Sequence, residues 1–173
     1  MKSTLPTHSV LVIGYGNELR GDDAIGPRIV NAIEDWQVPT VQTKILHQLT
    51  PELAEELSRS EWVIFVDACR FRGPHNVQVR PLEAVGCETP GSSVPALGHT
   101  CDPQSLLALA QSTYGHRPHA WSVEVPAEDF SMGEHLSAMA EEGIAEALEI
   151  IQTLIPTQKM AGFSTPEEPI CMK

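Results

Sequence analysis

The chain has 173 residues, of which 42% are hydrophobic and 20% are charged, and its formal net charge at pH 7 is −12. This length and composition fit one globular domain with a substantial core. The negative charge argues against nucleic acid or an anionic membrane as a partner, since both are bound mainly through Lys and Arg. No apolar run is long enough to cross a bilayer, and residues 1–9 lack the apolar segment of a signal peptide. We therefore expect a cytoplasmic protein.

The first predicted elements alternate between strand and helix. The run at 10–13 is apolar without alternation, which is typical of a parallel strand covered on both faces. The elements that follow are a helix over 25–36, a strand over 43–49, a helix opening at Pro51, and a strand over 62–66 that ends at Asp67.

The second half of the chain continues this pattern. It contains a weak edge strand at 77–80, an irregular loop rich in Pro and Gly at 82–98, a helix starting at Asp102-Pro103, a strand at 121–125, and a last helix with an apolar stripe from Leu136 to Ile155. Alternating strands and helices predict a single doubly wound α/β domain of three layers, with a mostly parallel sheet of about five strands flanked by helices. We expect this domain to occupy residues 1–155 and a flexible C-terminal tail to occupy residues 156–173.

The segment GYGNELRGDDAIG, residues 14–26, connects the first predicted strand to the first helix. Its glycines allow sharp turns, and Asp22 and Asp23 place two adjacent carboxylates in the loop. Aspartates before a helix often only cap it. Because one aspartate suffices for a cap, the second is a candidate for chemistry.

Three separated segments are expected to meet at one edge of the sheet. If the first strand is central, with the second and third on either side, the loop with Asp22 and Asp23 lies near Asp67, where such folds bind ligands. His99 precedes a predicted helix start and is expected at the same edge. Two carboxylates and one imidazole suit zinc or nickel. The simpler alternatives are a hydrogen bond from loop amides to Asp67 and a surface position for His99.

Other chemical motifs are weaker. Position 19 is leucine, so the third glycine of a dinucleotide-binding loop is missing, and the chain has neither a GxSxG elbow nor a P-loop. Cys101 lies two residues from His99, a spacing that rarely presents a nucleophile and its base. Cys69 is either a soft metal ligand or, more simply, a small buried residue. The four cysteines form no CxxC pair, so neither a disulfide framework nor a structural zinc site is predicted.

At three places the sequence resembles the hydrogenase maturation endopeptidases. Residues 14–23 resemble the amino-terminal signature of this family, residues 66–68 its second motif, and Gly98-His99 its third. The resemblance runs from about residue 10 to residue 151. The segment HQLTPEL, residues 47–53, looks like the branch that serves bidirectional, NAD-linked nickel–iron hydrogenases. Some relatives have an Asp-Gly pair where this chain has His47-Gln48, and many have glycine in place of Ala24.

The resemblance implies a peptidase domain and a specific reaction. Such an enzyme is a hydrolase, either an aspartyl-type or a metal-assisted protease. It removes the C-terminal extension of a nickel–iron hydrogenase large-subunit precursor after nickel insertion. Asp23, Asp67 and His99 would contact nickel that the precursor supplies, with Asp23 or Asp67 as a possible general base. Asp22 is not implied as a ligand. We expect no permanent organic cofactor and a monomeric protein.

Two other functions are compatible with the sequence, and the first of them uses the same three residues. One is a nickel-sensing binding module or chaperone for hydrogenase assembly that cuts nothing. The other is a conventional metal hydrolase or a nucleotide-binding protein that shares only the fold. Cleavage of the precursor would distinguish the endopeptidase from the first, and tightly bound zinc or a bound nucleotide would favour the second.

Overall fold

The computed structural model describes residues 8–70, 76–83 and 101–155, with side chains described from Val10 onward. The strands are β1 (His8–Tyr15), β2 (Val41–Leu46), β3 (Ser60–Arg70), β4 (Gln78–Leu82) and β5 (His119–Ala127). The helices are α1 (Ile25–Glu34), which directly follows a short 3₁₀ turn (Gly21–Ala24), α2 (Leu53–Leu57), α3 (Pro103–Tyr114) and α4 (Ala138–Leu154).

The five strands form one sheet in the order β2-β1-β3-β5-β4. The four strands β2, β1, β3 and β5 are parallel, and β4 pairs antiparallel with β5 at one edge. The predicted fold class is confirmed, including the central position of β1 between β2 and β3. We call the edge at which the four parallel strands end the carboxyl edge.

Helices cover both faces of the sheet, which explains why the apolar run in β1 does not alternate. Val10 and Val12 belong to the core beneath α1 and α4. Leu11 and Ile13 belong to the core beneath α2 and α3. All four side chains are at most 1% exposed. Among the helices of the described ranges, none is long and apolar enough to span a membrane.

The third strand extends further than the sequence pattern predicted. Asp67 was expected at its end, but β3 continues to Arg70 because β5 pairs with it through Ala127. The pairing of β1 with β3 stops earlier, at Gly14 opposite Val66. Asp67 therefore lies inside β3, one residue beyond the last pair that β3 makes with β1.

Two glycines allow α1 to lie directly on the strands. A Cβ atom on Gly26 would lie 2.6 Å from the Tyr15 carbonyl oxygen and 2.9 Å from that of Val66. A Cβ on Gly14 would lie 2.3 Å from the Gly26 carbonyl oxygen. Only glycine fits both positions without a backbone shift. This close contact brings the 3₁₀ turn, which carries Asp22 and Asp23, to the carboxyl edge.

Several predicted features lie outside the described residues. These are His99, most of the 82–98 loop, and the tail from residue 156. The division into a domain and a flexible tail therefore stays a prediction.

Candidate functional site

Asp22 is fully buried, and its carboxylate accepts four hydrogen bonds from the loop that follows β5. The backbone N–H groups of Glu128 and Asp129 each donate to Oδ2 at 2.9 Å. Ser137 donates its backbone N–H to Oδ1 at 2.7 Å and its hydroxyl to Oδ2 at 2.8 Å. Burial raises the pKa of Asp22, but these donors favour the ionised form and leave the pKa below its usual range.

Backbone hydrogen bonds join the same two loops. The N–H of Gly133 donates to the Leu19 carbonyl at 2.9 Å, and the N–H of Gly21 donates to the Gly133 carbonyl at 2.8 Å. The N–H of Asp22 donates to the Asp129 carbonyl at 2.8 Å. Neither the 3₁₀ turn nor α1 has a side-chain N-cap, so the capping interpretation of the aspartate pair is wrong. Asp22 instead fastens the first loop to the last.

Asp23 is held by the loop that precedes it. Its Oδ2 accepts a hydrogen bond from the backbone N–H of Asn17 at 2.9 Å. Gly16 makes this turn possible, because its φ is 144° and a Cβ there would lie 2.0 Å from the Asp23 carbonyl oxygen. Within the described part of the chain, the other carboxylate oxygen of Asp23 has no hydrogen-bond partner. The side chain is half-buried, so this oxygen is positioned to bind a ligand.

Asp67 occupies the middle of a polar row that crosses the sheet at the carboxyl edge. The register places it directly opposite Glu124 of β5. Tyr15 follows the last β1–β3 pair, Gly14 with Val66, and its hydroxyl lies close enough to the Asp67 carboxylate to lower the pKa of that group. These neighbours lie on one face of the sheet because laterally paired residues of parallel strands point the same way.

The surroundings of Asp67 disfavour its negative charge. Burial is the largest cause, and the carboxylates of Asp23 and Glu124 add repulsion. The Ala68 backbone amide and the Tyr15 hydroxyl oppose this effect, yet the pKa of Asp67 still rises to about 6. Burial and the neighbouring carboxylate likewise raise the pKa of Tyr15.

Two of the three predicted ligands are therefore brought together. Asp23 and Asp67 are close enough for the charge of one to act on the other. His99 lies outside the described residues, so its position relative to them stays a prediction. No group of three His, Cys, Asp or Glu residues with metal-binding geometry occurs in 8–70, 76–83 or 101–155. Two neighbouring carboxylates that repel one another fit a divalent cation, which would remove the repulsion.

A groove of about 320 Å³ lies beside Asp67. Its polar lining comes from four strands and the start of α3: Tyr15, Asp67, Arg80, Asp102, Gln104, Ser122 and Glu124. No local sequence pattern indicated Tyr15, Arg80 or Glu124 as site residues. Ser122 and Glu124 alternate with apolar Val123 and Val125, a pattern that indicates a strand with one polar face.

The surroundings of Cys101 do not suit nucleophilic chemistry. Burial and the nearby carboxylates of Asp102 and Glu52 raise the pKa of the Cys101 thiol, which disfavours the thiolate. Cys69 is exposed, so the expectation of a small buried residue is wrong. Its thiol contacts the Arg70 carbonyl at 3.9 Å.

Two other histidines have structural contacts away from the carboxyl edge. Nε2 of His116 lies 3.1 Å from the Ser60 carbonyl oxygen, at the start of β3. The ring of His119 stacks on Trp62 with the centroids 4.6 Å apart, at the start of β5. Neither side chain is close to Asp23 or Asp67.

The buried carboxylate predicts a stability effect for Asp22→Asn. An asparagine amide group would face backbone N–H donors, so we expect a loss of about 2–4 kcal/mol in the free energy of unfolding at pH 7. A depressed pKa stabilises the fold above the unfolded value of 3.8, and this contribution disappears as the pH falls through the folded value. Urea unfolding at several pH values measures the effect, with exposed Asp35→Asn as the control. A variant as stable as the unmodified protein at pH 7 would contradict this role.

Asp67→Asn is expected to have the opposite effect. A raised carboxyl pKa destabilises the fold as the pH rises from 3.8 through about 6, by up to about 3 kcal/mol. Asparagine removes the charge and keeps an acceptor for Tyr15. The variant should therefore be more stable than the unmodified protein at pH 7.5 and similar to it at pH 4. Urea unfolding with a metal chelator tests this, and a variant that is less stable at pH 7.5 would contradict it.

No protein-family model matches the chain, and no curated protein matches it by sequence. Comparison with solved structures finds the same fold in maturation enzymes of hydrogenases. The hydrogenase maturating endopeptidase HybD from E. coli is 26% identical, with a TM-score of 0.64 over 84% of this chain and 90% of that one.

Two archaeal structures have similar TM-scores. The hydrogenase 2 maturation peptidase from a Thaumarchaeota archaeon is 25% identical, with a TM-score of 0.62 over 84% of this chain and 96% of that one. The [NiFe] hydrogenase maturation protease HycI from Thermococcus kodakarensis shares the fold at 17% identity, with a TM-score of 0.63 over 86% and 93% of the two chains. The structural neighbours of this protein are hydrogenase maturation endopeptidases.

Proposed function

We propose that this protein is an endopeptidase that removes the C-terminal extension of a nickel–iron hydrogenase large-subunit precursor after nickel insertion. The observation that carries the proposal is the convergence of Asp23 and Asp67 at the carboxyl edge. They come from two separate motifs, in a fold shared with maturation endopeptidases across 84% of the chain. We place the peptide of the precursor in the groove of about 320 Å³ beside Asp67.

Nickel enters this proposal as part of the substrate. One carboxylate oxygen of Asp23 has no hydrogen-bond partner in the described ranges. The carboxylates of Asp23 and Asp67 repel one another, so the pair is an incomplete site that a cation would stabilise. We propose that His99 completes the ligand set. The protein would then bind only a precursor that already holds its nickel. The proposal includes no organic cofactor.

A shared nickel ion would polarise the scissile carbonyl or acidify the attacking water. The protein's own residues position these groups. The Tyr15 hydroxyl favours the ionised form of the Asp67 carboxylate. Asp22 fixes the loop that carries Asp23, because its four hydrogen bonds join that loop to the segment after β5.

The resemblance of residues 47–53 to one branch of the endopeptidases motivates a narrower proposal about the substrate. His47 and Gln48 are exposed and follow β2 at the carboxyl edge, whereas Leu49 is buried. We propose that the substrate is the large subunit of a bidirectional, NAD-linked hydrogenase, processed in the cytoplasm by a monomeric enzyme.

The test uses purified precursor of such a hydrogenase, with and without nickel, and mass spectrometry of its C-terminus. We expect the unmodified protein to trim only the nickel-loaded precursor. His99→Ala should lose this activity because a ligand is missing. His119→Ala is the matched control, since its ring stacks on Trp62 at the opposite edge of the sheet.

Three other results would change the proposal. Binding of the loaded precursor without trimming would replace the endopeptidase with a nickel-sensing binding module or chaperone. Equal trimming with and without nickel would retain the peptidase and exclude recognition of the metal. Full activity of His99→Ala would remove that residue from the site.

A further inference from the structure

Four acidic side chains at the carboxyl edge already have other roles. Asp22 is buried and accepts four hydrogen bonds. Asp102 caps α3, where Oδ1 accepts from the Ser105 backbone N–H at 2.9 Å and Oδ2 accepts from its hydroxyl at 2.8 Å. Asp23 and Asp67 are the proposed ligands of the substrate's nickel. A carboxylate bound to a cation is a weaker base, so a further group is needed to accept a proton.

Glu124 is the remaining acidic residue among the described residues that line the groove. It is paired in register with Asp67 on the neighbouring strand. Adjacent strands lie about 4.8 Å apart, so the two carboxylates share the same part of the groove. The negative charge of Glu124 contributes to the raised pKa of both Asp67 and Tyr15, which is consistent with this closeness.

An ion pair orients Glu124 and leaves one of its oxygens available. Nη2 of Arg80, on the edge strand β4, lies 3.3 Å from Oε2 of Glu124. Within the ranges that the structure describes, Oε1 has no hydrogen-bond partner. The Glu124 side chain is 29% exposed, against 63% for Arg80, so the carboxylate is sheltered but accessible from the groove.

We propose, on the basis of the proposed function, that Glu124 is the general base of peptide hydrolysis. Its Oε1 accepts a proton from a water molecule as the water oxygen forms a bond to the scissile carbonyl carbon. The carbon–nitrogen bond then breaks, and the proton passes from Glu124 to the leaving amine nitrogen. Water is the only co-reactant. Asp23 and Asp67 hold the substrate, and Glu124 moves the proton.

The test compares Glu124→Gln with the unmodified protein on nickel-loaded precursor. Glutamine keeps the size of the side chain but cannot accept the proton, so we expect the single-turnover cleavage rate to fall about 100-fold or more. The affinity for the loaded precursor and the urea midpoint should change little. Glu124→Asp, which withdraws the carboxylate by one methylene, should cleave at an intermediate rate. Exposed Glu83→Gln, directly after β4, is the matched control.

The outcomes separate this inference from the proposed function. Loss of cleavage by Glu124→Gln with retained precursor binding supports Glu124 as the base. Cleavage by Glu124→Gln within about threefold of the unmodified rate overturns it, while the endopeptidase remains. If the unmodified protein does not cleave loaded precursor, both the proposed function and this inference fall.

Discussion

The candidate site depends on one buried carboxylate. Asp22 has no exposed surface, and its four hydrogen bonds join the loop after β1 to the loop after β5. A buried charge is tolerated only when its hydrogen-bonding capacity is satisfied, so the two loops must meet in one arrangement for the protein to fold. This requirement fixes the backbone at the next residue, Asp23. A rigid frame therefore holds a carboxylate that keeps one oxygen available for a ligand.

The two adjacent aspartates have opposite physical roles. Asp22 is surrounded by donors, and its ionised form stabilises the fold. Asp23 instead contributes to a cluster with Asp67 and Glu124 in which negative charges are close together. Burial is the main cause of the raised pKa of Asp67, and these charges raise it further. Such an arrangement costs stability, as is common where side chains are positioned for a ligand rather than for the fold. A cation shared with a partner would offset this cost only in the complex.

The sequence predicted the architecture well because the fold depends on local apolar patterns. Runs such as 10–13 and 62–66 indicated buried parallel strands, and their order followed from general rules of α/β topology. It also predicted that Asp23 and Asp67 would meet. The role of Asp22 was not predictable in this way, since its partners lie 106 to 115 positions further along the chain.

The groove residues were missed for a related reason. Tyr15 and Glu124 are neighbours of Asp67 only through strand register, which no local motif specifies. Asp67 was expected at a strand end because its apolar run stops there, but pairing with β5 extends the strand to Arg70. Pairing between strands therefore determined these features, which local sequence patterns do not specify.

We propose that Asp23 and Asp67 bind nickel carried by the substrate. X-ray absorption at the nickel edge can test this on loaded precursor alone and on its complex with the protein, frozen before cleavage proceeds. We expect additional oxygen or nitrogen scattering in the complex, absent when Asp67→Asn replaces the unmodified protein. An unchanged nickel environment in a complex that goes on to be cleaved would contradict it.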